Sequence, residues 1–148
     1  MYKEIIKILL VDDDEDDRLF FKEAIDELGM NTSLSFFENG QEFIDFMKVP
    51  GQALPHIVFL DLNMPVKNGL ECLEEIRNDK TLKDLTVAVY STSSSEQDIE
   101  NTFIAGANIY INKPNSFNKL KKVIKKVLEL NLQYHTSNLN KDTFLLNI

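Results

Sequence analysis

Residues 5–17 read IIKILLVDDDEDD, a short apolar run that enters an unbroken series of six acidic residues. The run at 5–11 has the length and composition of a buried β-strand. A helix is predicted over 14–28, because apolar residues recur there at helical spacing and Gly29 follows as a stop. The acidic residues therefore lie where a buried strand ends and a helix begins.

The same order of strand and helix recurs along the chain at intervals of about 25 residues. Continuous apolar strands that alternate with amphipathic helices are typical of a parallel sheet covered on both faces. The sequence therefore predicts an α/β fold of five βα units, a doubly wound three-layer sandwich. Further strands are predicted at 33–37, 56–60, 85–90 and 108–111, and further helices at 41–47, 70–77, 96–105 and 116–130.

The composition favours a single domain that binds neither nucleic acid nor membrane directly. The 148 residues are 43% hydrophobic and carry 16 Lys+Arg against 24 Asp+Glu, a net charge of −8. An acidic surface repels nucleic acid and anionic lipid, and we interpret the basic segment KLKKVIKK at 119–126 as a solvated helix face. The single Cys72 cannot form an internal disulfide, and no apolar run approaches the roughly 18 residues of a membrane span. We therefore expect a cytoplasmic protein.

Polar side chains follow four of the predicted strands at the point where each strand ends. Asp12 and Asp13 follow the first strand, Asp61 the third, Ser91 the fourth and Lys113 the fifth. Because the carboxyl ends of parallel strands meet at one edge of a sheet, we expect these five side chains to share a site.

The charges of this predicted site require a cation. Two carboxylates about 5 Å apart repel by roughly 3 kcal/mol at an effective dielectric constant near 20, and one lysine offsets only part of that. Mg²⁺ would offset the rest, because it prefers oxygen ligands and shares the oxygens of phosphate groups. A carboxylate beside Mg²⁺ stays ionised and can attack phosphorus, so the sequence predicts phosphoryl transfer to Asp61.

Four segments of the chain resemble the receiver domain of two-component response regulators, especially stand-alone members such as the chemotaxis regulator and the small phytochrome-associated regulators. The resemblance implies a flavodoxin-like fold with strand order 2-1-3-4-5. It also implies a signalling protein, and not an enzyme that acts on a substrate. The segments are ILLVDDDEDD at 8–17, FLDLNMPVKNGLE at 59–71, VYSTS at 89–93 and AGANIYINKP at 105–114.

The resemblance assigns roles to the residues at the strand ends. Asp61 would be the phosphorylated aspartate, and Lys113 would pair with it or with its phosphoryl group. The peptide bond between Lys113 and Pro114 would be cis, as is usual in the family. Mg²⁺ would be held by Asp12, Asp13, Asp61 and the backbone carbonyl of Asn63. The remaining acids of the run, at 14–17, are expected to open the first helix, whose dipole favours anions there.

The resemblance also implies a switch and its partners. Ser91 would be the switch hydroxyl and Tyr110 the switch aromatic, which turns into the space that Ser91 vacates on phosphorylation. Plain core packing explains Tyr110 equally well. The phosphoryl group would come from a sensor histidine kinase or a histidine phosphotransfer protein. Residues 96–130 would form the contact surface for a downstream protein, and for a homodimer.

The receiver domain is predicted to span 1–131 and to be followed by an extension, 132–148, without a separate output domain. The extension is polar at first and then apolar at Phe144, Leu145, Leu146 and Ile148. Because a free apolar tail promotes aggregation, we expect it to pack against this chain or a neighbouring one.

Three other functions fit parts of the same residues. A phosphatase of the haloacid dehalogenase type also uses an aspartate nucleophile with Mg²⁺, but it needs a second Asp where this chain has Asn63. A receiver that only docks partners would not need a complete site. A Ca²⁺ loop of the EF-hand type would use positions 1, 3, 5 and 12 of its template, but it needs Gly at position 6 and a preceding helix; the matching residues are Asp12, Asp14, Asp16 and Glu23, with Asp17 at position 6.

Overall fold

A computed structural model of the chain describes residues 4–134 and 145–146. Five strands alternate with five helices, and a short sixth strand follows. The strands are β1 (Ile6–Val11), β2 (Thr32–Phe37), β3 (Ile57–Leu60), β4 (Val87–Ser91), β5 (Ile109–Asn112) and β6 (Leu145–Leu146), and the helices are α1 (Glu15–Leu28), α2 (Gly40–Met47), α3 (Gly69–Asn78), α4 (Glu96–Ile104) and α5 (Phe117–Tyr134).

The strands form one parallel sheet with β3 and β4 at its centre. The order is β2-β1-β3-β4-β5, which confirms the predicted doubly wound topology, and β6 then extends the sheet beyond β5. In register, Leu10 of β1 lies between Phe36 of β2 and Phe59 of β3. The carboxyl ends of the strands consequently lie along one edge, where the loops to the helices begin.

Alternate residues of each strand face opposite layers of the sandwich. In β3, Val58 and Leu60 belong to the core beneath α2 and α3, while Ile57 and Phe59 belong to the core beneath α1 and α5. All four residues of this strand are fully buried. Burial on both faces explains why the strands read as continuous apolar runs in the sequence.

Side chains at the helix starts fix where the elements begin. The side chains of Asp14 and Ser95 accept hydrogen bonds from backbone N–H groups in the first turns of α1 and α4. Asn68 and Glu71 form a reciprocal capping box at the start of α3. The predicted bounds of most elements consequently differ from the observed ones by only one or two residues.

The C-terminal part of the chain differs most from the prediction. Helix α5 continues to Tyr134, four residues beyond its predicted end. The short β6 pairs in parallel with β5, with Leu145 opposite Tyr110 and Leu146 opposite Ile111. This pairing places part of the predicted extension on the same sheet, whereas the predicted packing of Phe144 and Ile148 lies outside the described residues.

Candidate functional site

The sheet brings the polar residues of the strand ends to one edge. Asp61 follows β3 directly, and its backbone N–H donates to the Val11 carbonyl at the end of β1 (2.9 Å). The Lys113 N–H donates to the Ser91 carbonyl across β5 and β4 (2.7 Å). Parallel pairing thus aligns the ends of four strands that are far apart in the sequence.

Three carboxylates form the centre of the site. Carboxylate oxygens of Asp12, Asp13 and Asp61 lie within 4.8 Å of one another. Asp12 and Asp61 are buried, whereas Asp13 is exposed. Asp12 Oδ1 accepts from the Asp14 N–H (3.0 Å), but Oδ2 has no hydrogen-bond partner although Lys113 Nζ is 2.8 Å away. Carboxylate oxygens are the ligands that Mg²⁺ prefers, and a buried oxygen without a hydrogen-bond partner can serve as one of them. The cluster therefore fits a divalent cation such as Mg²⁺.

The surroundings of these carboxylates disfavour their charge. Burial raises the pKa of Asp12, and Lys113 offsets part of the effect. Burial also raises the pKa of Asp61 to about 6, with repulsion from Asp12 adding to the effect and attraction to Lys113 opposing it. The backbone N–H of Asn63 also favours the ionised form of Asp61. The pKa of Asp61 therefore lies close enough to neutral pH that a nearby change of charge alters the fraction of the ionised, nucleophilic form.

Lys113 is the cation nearest to the acidic cluster. Its Nζ lies 2.8 Å from Asp12 Oδ2, 2.9 Å from Asp17 Oδ2 and 3.5 Å from Asp61 Oδ2. Burial alone would lower the pKa of this lysine, but its close ion pairs with Asp12 and Asp17 raise the pKa above its usual value. Lys113 therefore keeps its charge under all ordinary conditions.

The bond between Lys113 and Pro114 is trans, as are all described peptide bonds, so the cis bond implied by the resemblance is wrong. The trans form is favoured by about 0.5–1 kcal/mol for a bond before proline. The lysine side chain reaches the acidic cluster from this trans backbone.

Ser91 and Tyr110 meet through a residue that the sequence did not single out. Ser91 is fully buried, and its Oγ accepts from the Ser93 N–H (3.1 Å). The Tyr110 ring is fully buried as well, and its hydroxyl donates to the Ser93 carbonyl (2.8 Å). Ser93 Oγ in turn donates to Asp98 in α4 (2.6 Å). The loop between β4 and α4 is thus hydrogen-bonded to both predicted switch residues.

The tight loop after β3 depends on Gly69. A Cβ at this position would lie 2.2 Å from the Asp61 carbonyl oxygen and 2.8 Å from the Leu62 Cα. The Gly69 N–H donates to the Leu62 carbonyl (2.9 Å). The start of α3 can therefore approach Asp61 closely only with glycine, whereas the Asn63 carbonyl as a metal ligand stays a prediction.

The sequence assigned Asp17 only to the opening of α1, and its contact with Lys113 was missed. Asp17 lies four residues after Asp13, at the third position of α1, so the acidic run continues from the end of β1 into the first turn of the helix. That spacing was the available signal. The EF-hand template loses support, because a strand and not a helix precedes the acidic run and Asp17 contacts a lysine.

A parallel sheet with an acidic cluster and a lysine at its carboxyl edge defines a doubly wound α/β protein with a charged rim at the strand ends. The family model described as response regulator receiver domain matches residues 8–125. The chain therefore belongs to the response regulator receiver family. No helix in the described part of the chain is long and apolar enough to cross a membrane.

Individual proteins support this assignment. The probable methanogenesis regulatory protein FilR2 of Methanothrix harundinacea is 30% identical over 133 residues, which cover 88% of this chain and 86% of that one. The phosphorylated cyanobacterial phytochrome response regulator RcpA has a similar structure, with a TM-score of 0.80, 31% identity, and coverage of 88% and 96% of the two chains. The Mn²⁺-bound form of response regulator Rcp1 is also similar, with a TM-score of 0.76, 28% identity, and coverage of 86% and 95%.

Proposed function

We propose that this chain is a response regulator whose receiver domain accepts a phosphoryl group on Asp61 from a sensor histidine kinase or a histidine phosphotransfer protein. The observation that carries the proposal is the cluster of Asp12, Asp13 and Asp61 beside Lys113 at the carboxyl edge of the sheet. The similarity to RcpA, whose structure is of a phosphorylated protein, supports the same reaction here.

Mg²⁺ would be held by Asp12, Asp13, Asp61 and the Asn63 carbonyl, and it would neutralise charge on the transferred group. The similarity to the Mn²⁺-bound Rcp1 supports a divalent cation at this place. An Asp61 oxygen attacks the donor phosphorus, and the bond between phosphorus and the donor nitrogen or oxygen breaks. The donor atom leaves with the electron pair, and Asp61 carries an acyl phosphate.

Lys113 and Ser91 would both assist the transfer. The ammonium group is already 3.5 Å from Asp61 Oδ2, so a phosphoryl group on that oxygen would lie within its reach. The Ser91 hydroxyl lies at the end of the neighbouring strand and can donate to a phosphoryl oxygen. The same groups would stabilise the phosphoryl group when a water molecule attacks its phosphorus and the Asp61 carboxylate leaves with the electron pair. The domain would thus promote both its own phosphorylation and its own dephosphorylation.

The output would be a change of protein surface. When Ser91 turns to the phosphoryl group, it gives up the hydrogen bond from the Ser93 N–H, and the loop held by Tyr110 rearranges. That loop leads into α4, so the change reaches the surface formed by residues 96–130. This surface would bind a downstream protein, and it is also our candidate for a homodimer contact.

Such signalling takes place in the cytoplasm, and we assign the receiver domain to 1–131.

Intact-mass spectrometry after incubation with acetyl phosphate tests this function. The wild-type protein should gain the mass of one phosphoryl group when Mg²⁺ is present and should gain none with a chelator. Asp61→Asn should gain none under either condition. The control is Asp45→Asn, which changes an exposed aspartate in α2. Equal labelling of the Asp61 and Asp45 variants would contradict the proposal.

A further inference from the structure

The ammonium group of Lys113 is closer to two other carboxylates than to Asp61. Its distances to Asp17 Oδ2 and Asp12 Oδ2 are 2.9 and 2.8 Å, against 3.5 Å to Asp61 Oδ2. Lys113 donates a short hydrogen bond to Asp17 Oδ2 and a long one to Asp61 Oδ2, whereas its contact with Asp12 Oδ2 is an ion pair. Asp17 is thus a close, well-directed partner of the lysine, 96 residues away in the sequence.

Asp17 differs in position from the residues that would hold a metal. It is not one of the three described carboxylates whose oxygens lie within 4.8 Å of one another. Its side chain is 38% exposed, and its backbone N–H donates to Asp14 Oδ1 in the cap of α1 (3.0 Å). The helix start therefore fixes Asp17 at the rim, from where its carboxylate reaches inward to Lys113.

We propose that Asp17 is a positioning residue that keeps Lys113 from a closer contact with Asp61 until a phosphoryl group is present. This inference rests on the proposed function of Asp61. An ammonium group has three hydrogens, and one of them is directed to Asp17 in the unphosphorylated protein. A phosphoryl group on Asp61 adds strong acceptor oxygens, and Lys113 then exchanges Asp17 for them.

The exchange has a thermodynamic consequence. Binding of a phosphoryl group in the wild-type protein breaks the contact between Lys113 and Asp17, so that contact opposes binding. Asp17→Asn removes the charge of the competing partner and keeps the shape of the side chain. The variant should therefore bind a phosphoryl mimic more tightly, by about fivefold, the effect of losing one partly exposed ion pair.

The first test measures where Lys113 is held in the protein without metal or phosphate. Nitrogen-15 NMR of lysine side chains reports the Lys113 ammonium resonance, assigned by its absence in Lys113→Arg. Asp17→Asn should shift this resonance more than Asp61→Asn does. A larger shift with Asp61→Asn would show that Asp61 already holds the lysine, and it would overturn the proposal.

The second test measures the affinity for trifluoroberyllate, a stable phosphoryl mimic, in the presence of Mg²⁺ by fluorine-19 NMR. Asp17→Asn should bind it about fivefold more tightly than wild type, and Asp17→Glu should return toward the wild-type affinity. The matched control is Asp16→Asn, which removes the same charge from an exposed neighbour in α1. Its affinity should change less than twofold.

The two tests separate failure of this inference from failure of the proposed function. If wild type binds trifluoroberyllate and the Asp17 and Asp16 variants behave alike, Asp17 acts only through its charge and the inference is wrong. If neither wild type nor any variant with Asp61 intact binds the mimic, the proposed function is wrong. The ammonium resonance then decides alone whether Asp17 holds Lys113.

Discussion

The Asp61 carboxylate is ionised at neutral pH in a place that disfavours its charge. It is only 6% exposed, and its ion pair with Lys113 is the longest of the three that the lysine makes. Burial and the charge of Asp12 raise the pKa of Asp61 to about 6. The ionised form is consequently reactive and poorly stabilised until a cation or a phosphoryl group completes its surroundings.

The raised pKa of Asp61 predicts a specific pH dependence of stability. Between about pH 4 and pH 6 the folded protein keeps a proton on Asp61 that the unfolded chain has lost, so the contribution of this residue to stability falls as the pH rises through that range. Above about pH 7 the full cost remains, on the order of 3 kcal/mol. Asp61→Asn removes this cost and should be more stable than wild type at pH 7.5.

Thermal denaturation at several pH values measures this effect. The melting temperature of Asp61→Asn should exceed that of wild type by roughly 5–10 °C at pH 7.5 and by little at pH 4. Asp45→Asn, on the exposed face of α2, should show no difference that grows with pH. A lower melting temperature for Asp61→Asn at pH 7.5 would mean that the carboxylate stabilises the fold, contrary to this account.

The residues of the acidic rim could be predicted from the sequence because each follows a recognisable strand. Asp12, Asp61 and Lys113 needed only the rule that parallel strands end at one edge. The contacts of Asp17 and Ser93 could not be predicted in the same way. The contact of Asp17 depends on the path of its side chain at a helix start, and that of Ser93 depends on the shape of a loop. Neither leaves a repeating pattern of apolar residues in the sequence.

At the scale of elements, the start of α3 is packed against the end of β3. The Cβ of any residue other than glycine at position 69 would overlap the backbone carbonyl of Asp61 itself. Backbone atoms cannot move aside as the end of a flexible side chain can. The position of the Asp61 carboxylate therefore depends on this contact between a strand end and a helix start.

Gly69→Ala should destabilise the protein and also weaken Mg²⁺ binding, because the helix must move away from the strand end that carries Asp61. We expect a loss of about 2–3 kcal/mol in the free energy of unfolding, as for other overpacked sites. Chemical denaturation and isothermal titration with Mg²⁺ measure the two effects.

The control is Gly29→Ala at the end of α1. Gly29 has φ +66, where a side chain costs about 1–2 kcal/mol, and no atom lies within 4 Å of an added Cβ. This variant should be less stable than wild type and bind Mg²⁺ normally. If Gly69→Ala also bound Mg²⁺ with wild-type affinity, the contact would not position the metal site.

The elements themselves were largely readable from the sequence. Apolar residues recur at a spacing typical of each kind of element. The capping residues of α1, α3 and α4 mark where these helices begin. The short β6 was not predicted, because two apolar residues have no period that distinguishes a strand from any other contact. Its partner, the edge of β5, is set by the fold and not by the local sequence.

At the scale of the whole molecule, the charge is unbalanced. The net charge of −8 opposes the compact state, and the acidic rim concentrates part of this charge in one place. A divalent cation at the rim would relieve local repulsion and would bind only the folded protein. Ligands that bind only the folded state raise its stability by mass action.

Mg²⁺ should therefore raise the melting temperature. At a concentration of about 100 times its dissociation constant the gain is roughly 2.7 kcal/mol, or on the order of 5–10 °C for a domain of this size. A chelator should reverse the effect, and Asp13→Asn should abolish most of it. NaCl at equal ionic strength and the Asp16→Asn variant control for screening. An equal rise with NaCl would mean that Mg²⁺ acts only by screening the net charge.

The central claim is that the phosphoryl group resides on Asp61 as an acyl phosphate. Borohydride reduces an acyl phosphate of aspartate to homoserine, so the modified residue can be located by peptide mass spectrometry after treatment with acetyl phosphate and Mg²⁺. We predict homoserine at position 61 in the wild-type protein and nowhere else, and none when Mg²⁺ is chelated. Reduction at Asp12, Asp13 or Asp17 with Asp61 unchanged would contradict the account.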